Sequence, residues 1–594
     1  MRKLEHFPNL VAMFLARVSE KPDAPFLWHK RDGRWLAISW RETAEQVASL
    51  AAALKAIGLK PGDRVMLVAE NRPEWCISDL AIMAAGCITV PTYTTNTERD
   101  HAHIIENSGA SAVIVSGAKL AKALLPAVIR SSTMRTVISM EEVRPGQTGT
   151  LVFHRWGELI RDHASAPETI VASATRADTA CIIYTSGTGG APRGVMQHHG
   201  AILHNVAGTS AIIAEDFGWD DEVFLSFLPL SHAYEHTAGK HLPIGLGGQI
   251  YYAEGIEKLA ANIAEVRPTI MVVVPRLFEV LRARITKDVE KKGGIAPWLL
   301  DKAQAIGTKR YRGTSTLLDK PMDLLLNATL RPKVAQRFGG RIKAMVSGGA
   351  PLTPEVGVFF QSLGIAFLQG YGQTESGPVV SCNRPAAGLK MDTVGPPLGA
   401  TEVRIAEDGE ILVRGELVMH GYWRNPEESA RVLQDGWLHT GDIGLIDERG
   451  RIKITDRKKD IIVNDKGENV APQKVEGMLT LQPEIAQAMI YGDRKPYMVA
   501  LLVPDPEWTQ QWCAMNGDPC NFTRLAENSE YRTMIGHAVE RVNRDLSVTE
   551  RIRRYVLAEA PFSIENEQLT PSLKIRRHVL REVYGERLDG LYRG

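Results

Sequence analysis

The chain has 594 residues, more than one hydrophobic core usually supports, so two or more domains are expected. Lys and Arg (70) almost cancel Asp and Glu (69), which excludes a global field that would gather nucleic acid or coat an anionic membrane; anionic ligands must be met by local sites. A hydrophobic share of 44% and a charged share of 23% are those of an ordinary globular protein.

The opening stretch MRKLEHFPNLVAMFLARV starts with basic residues but has neither a long apolar core nor a small-residue cleavage site. It reads as an amphipathic helix rather than a signal peptide. Ala44, Val47, Leu50, Leu54 and Ile57 recur at helical spacing, with Gly58 as the stop. Apolar runs at Val65 to Ala69, Ile88 to Val90 and Ala112 to Val115, separated by helical stretches, predict parallel strands covered on both faces. The rhythm resumes at Cys181 to Tyr184, Met271 to Val274, Ala344 to Val346 and Ala366 to Gln369, with a long helix-rich stretch before Ala344. From about Gly395 it changes to hairpins: EVRI and EILVR flank Asp408-Gly409, and LIDERGRIKI turns at Arg449-Gly450. Past Asp456 a fresh mixture of helices and strands follows. The expected fold is α/β: a large N-terminal domain of two doubly wound sheets plus a small β-subdomain, then a smaller α+β C-terminal domain. No run approaches the ~18 apolar residues that cross a bilayer, so the protein is expected to be soluble and cytoplasmic, or at most peripheral. Cys76, Cys87, Cys181, Cys382, Cys513 and Cys520 show no metal-type pairing and are read as reduced thiols.

Chemistry-bearing residues gather after the strands. In Tyr184 to Gly194 (YTSGTGGAPRG), hydroxyls and glycines share one short loop, and Arg193 adds charge. Glycines let backbone N–H groups approach a polyphosphate closely, although a flexible surface loop fits the same residues. No GK[ST] closes the loop, so it is not a Walker A motif. Ser347-Gly348-Gly349-Ala350-Pro351 and Gln369-Gly370-Tyr371-Gly372-Gln373-Thr374-Glu375 each follow a strand. A tyrosine face suits a purine and a carboxylate oxygen suits Mg²⁺, while a packed ring and a solvated charge are the plain alternatives. In His439-Thr440-Gly441-Asp442 an ionised Asp can accept two hydrogen bonds at once, as paired ribose hydroxyls require, or can hold a turn. DRKKD (456–460) reads as a charged linker, and LTPSLKIRR (569–577) carries Lys574.

In this order the five motifs resemble those of the adenylate-forming superfamily of acyl-CoA synthetases, luciferases and peptide-synthetase adenylation domains, over nearly the whole chain. The family loop reads YTSGTTGxPKG; this chain departs from it with Gly189 at the second threonine and Arg193 at the lysine. The resemblance implies an ATP and AMP site built from Thr185, Ser186, Gly187, Thr188, Gly189 and Arg193, with Gly349 and Ala350 beside adenine and the acyl group. It adds Gln369, Gly370 and Gly372 around Tyr371, which would stack on adenine, Thr374 at the phosphate and Glu375 on Mg²⁺. It further implies ribose contacts from Asp442 and Arg457. Lys459 would be a hinge dividing domains 1–458 and 459–594, and Lys574 the catalytic cation carried by the mobile C-terminal domain.

LPLSHAYEHTAG (228–239), with His232 at the acyl pocket or its gate, VPRLFE (274–279) and NVAPQKVE (469–476) are similar to the long-chain branch. The implied function is activation of a long-chain fatty acid by ATP to acyl-AMP, with release of pyrophosphate, then transfer to coenzyme A. A stand-alone acyl-AMP ligase that loads a carrier protein and a nucleotide-binding scaffold without catalysis are the other readings. A homodimer and peripheral contact with the inner membrane face complete the expectations.

Overall fold

The computed structural model describes residues 3–144, 149–185, 191–350, 352–570 and 574–593. Its first sheet has seven strands in the order Val152–Arg155, Thr136–Ser139, Ala112–Val115, Arg64–Val68, Ile88–Pro91, Thr179–Thr185, Arg193–His198. Its strands pair in parallel except the last two, which form an antiparallel pair around the glycine-rich loop. A second sheet of eight strands contains six parallel inner strands, among them Val223–Ser226, Ile270–Val273, Ala344–Ser347 and Phe367–Tyr371. The near-continuous apolar runs form these strands because helices cover both faces, leaving no solvent side that calls for alternation.

Helix Trp40–Ala56 illustrates how sequence sets an element. Ser39 and Glu42 form a reciprocal capping box at its start. Its buried stripe includes Ala44, Val47, Leu50 and Leu54, and Gly58 follows with φ 95°. The expected hairpins also form: Glu402–Ile405 pairs with Glu410–Arg414, and Trp437–Ile446 pairs with Ile452–Arg457. They build the five-stranded β-subdomain. Beyond Lys459, strands Ile485–Tyr491, Met498–Pro504 and Ile552–Leu557 form a separate three-stranded sheet. Helices Pro472–Thr480 and Ser529–Asn543 pack on it over a core that includes Val475, Leu479, Ile535 and Val539.

Two features depart from the sequence reading. The hairpin Pro25–Arg31 and Arg34–Ser39 joins the second sheet, pairing Leu27 with Ile250 across more than two hundred residues. Cys513 and Cys520 are paired in a disulfide rather than free. Gly517 ends helix Pro506–Asn516 in the left-handed conformation, and the chain turns back until the two Cα atoms lie 5.5 Å apart, within disulfide range. Cys76, Cys87, Cys181 and Cys382 are buried thiols, as expected. Among the described residues no helix is long and apolar enough to cross a membrane.

Candidate active site

The C-terminal ends of parallel strands are where an open α/β sheet leaves room for ligands. Here a cavity of about 520 Å³ starts at those ends. Thr185 ends one strand, Gly348 and Gly349 follow another, and Gly370 to Glu375 complete a third. From the polar mouth an apolar arm runs back along the second sheet to Ile270 and Ala344 at the strand starts. Helix His199–Asp216 forms its other wall with Thr209, Ile212 and Ile213.

At the mouth, the side chains hold one another. The Tyr371 hydroxyl donates to Asp442 Oδ2 (2.7 Å), and Arg457 Nε donates to Asp442 Oδ1 (3.0 Å). Asp442 is thus fixed by one partner on each oxygen, each oxygen keeping acceptor capacity. Its loop is pinned by Glu410, which accepts from the Gly441 N–H (2.7 Å), from Lys458 Nζ (3.0 Å) and pairs with His439. Gly372 is required by close approach, since a Cβ there would lie 1.8 Å from the Pro378 carbonyl oxygen.

Glu375 Oε1 accepts from the Tyr422 hydroxyl (2.9 Å); among the described residues Oε2 has no protein partner. Arg193 lies with its guanidinium 4.9 Å from the Tyr422 ring centroid and pairs with Glu428. The arginine at the lysine position therefore has a specific seat: its flat guanidinium stacks on an aromatic face that an ammonium would cover less well. Thr374, in the turn before Glu375, has its carbonyl held by Gln197 Nε2 (2.8 Å) and lines the cavity.

Lys574 reaches this mouth from the C-terminal domain. The Thr570 N–H donates to the Lys574 carbonyl (2.8 Å), and the Lys574 N–H donates to Thr570 Oγ1 (3.0 Å), which ties Lys574 to Thr570. Lys574 is exposed and lines the cavity. Desolvation within that enclosure and the Arg457 guanidinium push its ammonium down to about 8, against attraction from Glu375 and Asp442. His232 also lines the cavity; burial and Lys574 push its imidazole down to about 4, so it is neutral at pH 7. Its Nδ1 accepts from the Tyr234 N–H (3.2 Å), leaving the proton on Nε2. As a neutral ring it serves as a wall with one donor, not as a charged group.

Behind that wall lies a network the sequence did not signal. Helix Glu235–His241, a π-helix, buries Lys240 against Asp79, with His236 Nε2 2.9 Å from the same carboxylate. Burial opposes the Asp79 charge, but Lys240, His236 and His241 hold its pKa well below the ordinary value. Tyr234 OH donates to the Val346 carbonyl (2.9 Å), tying this helix to the second sheet.

The structure brings Thr185, Arg193, His232, Gly349, Gly370 and Gly372 to the same cavity as Tyr371, Thr374, Glu375, Arg457, Lys459 and Lys574. Asp442 stands at its edge through Tyr371 and Arg457. Gln369 is not brought there: the period of two along its strand gives Leu368 and Gly370 to the cavity, and its amide reaches the carbonyls of Met391 (3.1 Å) and Thr393 (3.3 Å). Ala350 is exposed beyond the cavity wall. Ser186, Gly187, Thr188 and Gly189 lie outside the described residues. Tyr422, Glu428 and Glu410 are the residues that sequence reasoning missed.

Family models match most of this chain. The AMP-binding enzyme model covers residues 14–423, and the AMP-binding enzyme C-terminal domain model covers 459–594. The chain belongs to the AMP-binding enzyme family. Among its relatives, the long-chain-fatty-acid–CoA ligase FadD15 of Mycobacterium tuberculosis is 32% identical over 98% of this chain and 97% of its own length. The long-chain-fatty-acid–CoA ligase 1 of Homo sapiens is 30% identical over 97% of this chain and 84% of its own length. In fold, this AMP-binding enzyme is similar to the adenylation domain of a carboxylate reductase from Mycobacterium chelonae. There the TM-score is 0.77 and the identity 22%, over 99% of this chain and 92% of that one.

Proposed function

We propose that the protein activates a long-chain fatty acid with ATP, forming acyl-AMP and pyrophosphate, and passes the acyl group to the thiol of coenzyme A. The observation that carries this reading is one cavity with an apolar arm and a polar mouth, with Lys574 lining the mouth. Full-length relatedness to long-chain-fatty-acid–CoA ligases supports the choice of acid and acceptor.

In the first half-reaction, a carboxylate oxygen forms a bond to the α-phosphorus of ATP and the bond to pyrophosphate breaks. Two anions meet, so cations must stand where charge develops. Lys574 supplies one such charge, and Arg457 fixes the Asp442 carboxylate that would receive the ribose hydroxyls. Tyr371 offers a ring face for adenine while its hydroxyl stays on Asp442. Glu375 fits a Mg²⁺ ligand, because Tyr422 orients its carboxylate through one oxygen and leaves the other open. At Glu375 the charge of a bound Mg²⁺ would offset that of the phosphates. Ile212, Ile213, Ala344 and Leu368 would exclude water from the acyl chain. In the second half-reaction the thiol gives up its proton, its sulfur bonds to the acyl carbonyl carbon and the bond from that carbon to the AMP oxygen breaks, releasing AMP, so the thiol must reach the carbon that Lys574 has attended. Rotation of residues 459–594 about Lys459, relative to 1–458, would withdraw Lys574 and open that approach.

The test is exchange of labelled pyrophosphate into ATP over a series of acids of graded length, followed by thioester formation with coenzyme A or with a carrier protein. Exchange that depends on a long acid, with product on coenzyme A, is expected. Exchange without any transfer to coenzyme A would favour carrier loading, and no exchange with any acid would overturn the reading.

A further inference from the structure

Two guanidinium groups meet one carboxylate at the cavity mouth. Arg193, the first residue of strand Arg193–His198, pairs with Glu428 Oε1. Arg431 grips the same carboxylate edge-on: its Nε donates to Oε2 (2.7 Å) and its Nη2 donates to Oε1. Glu428 and Arg431 stand three residues apart on helix Pro426–Val432, and all three side chains line the cavity. Ion pairs on an open surface are commonplace and contribute little. This triad is set into a site instead. The Arg193 and Glu428 side chains are only 26% and 20% exposed, and the Tyr422 ring lies under the Arg193 guanidinium.

Its neighbours indicate which anion it suits. Tyr422 supports Arg193 with its ring and holds Glu375 Oε1 through its hydroxyl (2.9 Å). The triad therefore adjoins the carboxylate whose other oxygen suits Mg²⁺. Tyr371 and Asp442, bonded to each other, mark the nucleoside part of the mouth and leave the triad to the phosphates. A planar fork that grips a carboxylate by its edge grips a phosphate by the same geometry. Among the described residues Arg431 has no ion partner besides Glu428, so it is free to follow a phosphate that replaces it. Hydrogen bonds from Arg431, with the charge of Arg193, hold the Glu428 carboxyl down to about 2, so it is an anion at every working pH.

We infer that Arg193 and Arg431 form the seat for the pyrophosphate half of ATP, and that Glu428 is the resident anion of that seat, displaced when ATP binds and restored as pyrophosphate leaves. This role rests on the mouth being an ATP site, and adds to it a second guanidinium and an internal competitor. In the empty enzyme the carboxylate keeps two like charges together and oriented. The cost is affinity, because incoming phosphates must displace it. Displacement is easy, since Glu428 sits on a short helix at the rim and a pair of that exposure is weak. The same competition then loosens the hold on pyrophosphate and quickens its release.

The experiment is calorimetric titration of the full chain with inorganic pyrophosphate at constant Mg²⁺, with AMP as a separate probe. Glu428→Gln keeps the shape and removes the competing charge, so pyrophosphate should bind about tenfold tighter. Glu428→Ala should show the same gain without an amide. Arg431→Gln should weaken pyrophosphate binding about tenfold, while AMP, which lacks the pyrophosphate half, binds every variant within about twofold of the parent. In steady state Glu428→Gln should lower KM for ATP and strengthen product inhibition by pyrophosphate. Weaker or unchanged pyrophosphate binding in both Glu428 variants would overturn the inference, since the carboxylate would then prop Arg193 rather than compete for it. So would an Arg431→Gln variant that binds pyrophosphate as the parent does. Normal AMP binding beside either result overturns this inference alone. Failure of the parent and every variant to bind AMP or pyrophosphate would overturn the ATP site with it.

Discussion

An ammonium that titrates near pH 8 is a poor choice for a merely structural lysine and a telling one for a site that gathers phosphates. Lys574 is charged below about pH 8 and neutral above it. Because kcat/KM reports groups of the free enzyme, pyrophosphate exchange should decline as pH rises through about 8. Lys574→Arg keeps the charge at every accessible pH, so its profile should lose that limb even though its rate is lower. An unchanged limb in Lys574→Arg would assign the titration to another group. Lys574→Ala should cost roughly 10²–10³ in exchange rate, the scale of a lost charge-stabilising donor. Tyr422 offers a second test. Tyr422→Phe keeps the face under Arg193 but removes the hydroxyl that holds Glu375, so exchange should need several times more Mg²⁺, with Arg193 still seated. The Mg²⁺ dependence of exchange measures it. Tyr422 escaped sequence reading because its partner lies 47 residues earlier and no periodicity links an aromatic to a carboxylate across that gap. Arg193 was legible as a cation, but its seat was not, because Glu428 and Tyr422 come from the β-subdomain side of the fold.

At the scale of elements, what could be read were local rules. Ser39 and Glu42 announce the start of a helix, and Asp408-Gly409 announces a hairpin, because each outcome is decided within a few residues. The strand Ala112–Val115 was readable for a related reason: a short run of four apolar residues buried on both faces has little else to become. The π-helix Glu235–His241 had no such signature. Its register is set by Asp79, more than 150 residues away, which gathers Lys240 and His236. That network predicts a large mutational effect far from the reacting atoms. Asp79→Ala leaves a fully buried ammonium without its counter-charge, and removing one member of a buried pair costs about 3–5 kcal/mol. The urea midpoint should fall accordingly. Asp79→Ala together with Lys240→Met should recover much of the loss, because the cost lies in the unpaired charge rather than in the absent attraction. A double variant no more stable than the single one would show that the network's shape matters more than its charge.

For the molecule as a whole, acid sensitivity follows from how many imidazoles the fold encloses. Burial pushes His101 and His199 down to about 4, and burial with Lys574 does the same to His232; His236 and His241 shift in the same direction. Between about pH 6.5 and 4 the unfolded chain takes up these protons and the folded chain does not, so stability falls as pH falls. Glu235, pushed up to about 8 by burial, Asp456, up to about 6, and Glu476, raised by burial, act oppositely, but they are three groups against seven, since burial also lowers His204 and His420. A net loss of a few kcal/mol per pH unit is expected, with the urea midpoint highest near neutrality. A midpoint that stays flat from pH 7 to 5 would mean that the enclosed imidazoles protonate in place. His199→Gln should flatten the slope by about one proton, since His199 Nδ1 accepts from the Leu10 N–H and charging it breaks that contact.

DRKKD (456–460) was legible as a charged linker, and a division of the chain at Lys459 is what the family resemblance implies and remains part of the proposal. Which way the small domain faces was not legible, since orientation depends on contacts between distant surfaces. In the structure Lys574 lines the mouth; the proposed mechanism uses it there in the first half-reaction and needs the same space for a thiol in the second. If one pivot serves both, stiffening it should separate them. Lys459 lies in the turn that follows strand Ile452–Arg457, exposed to solvent, so a substitution there disturbs little packing. Lys459→Pro fixes φ and removes one backbone donor. Pyrophosphate exchange should stay within a few-fold of the parent, whereas thioester formation should drop by about 10²-fold, the scale on which misplacement of a reacting group is felt. Measuring both half-reactions on one preparation decides the matter. Equal losses in the two would mean that proline damages the mouth itself, because Lys459 also lines it, and the pivot would then have to be sought elsewhere in the linker.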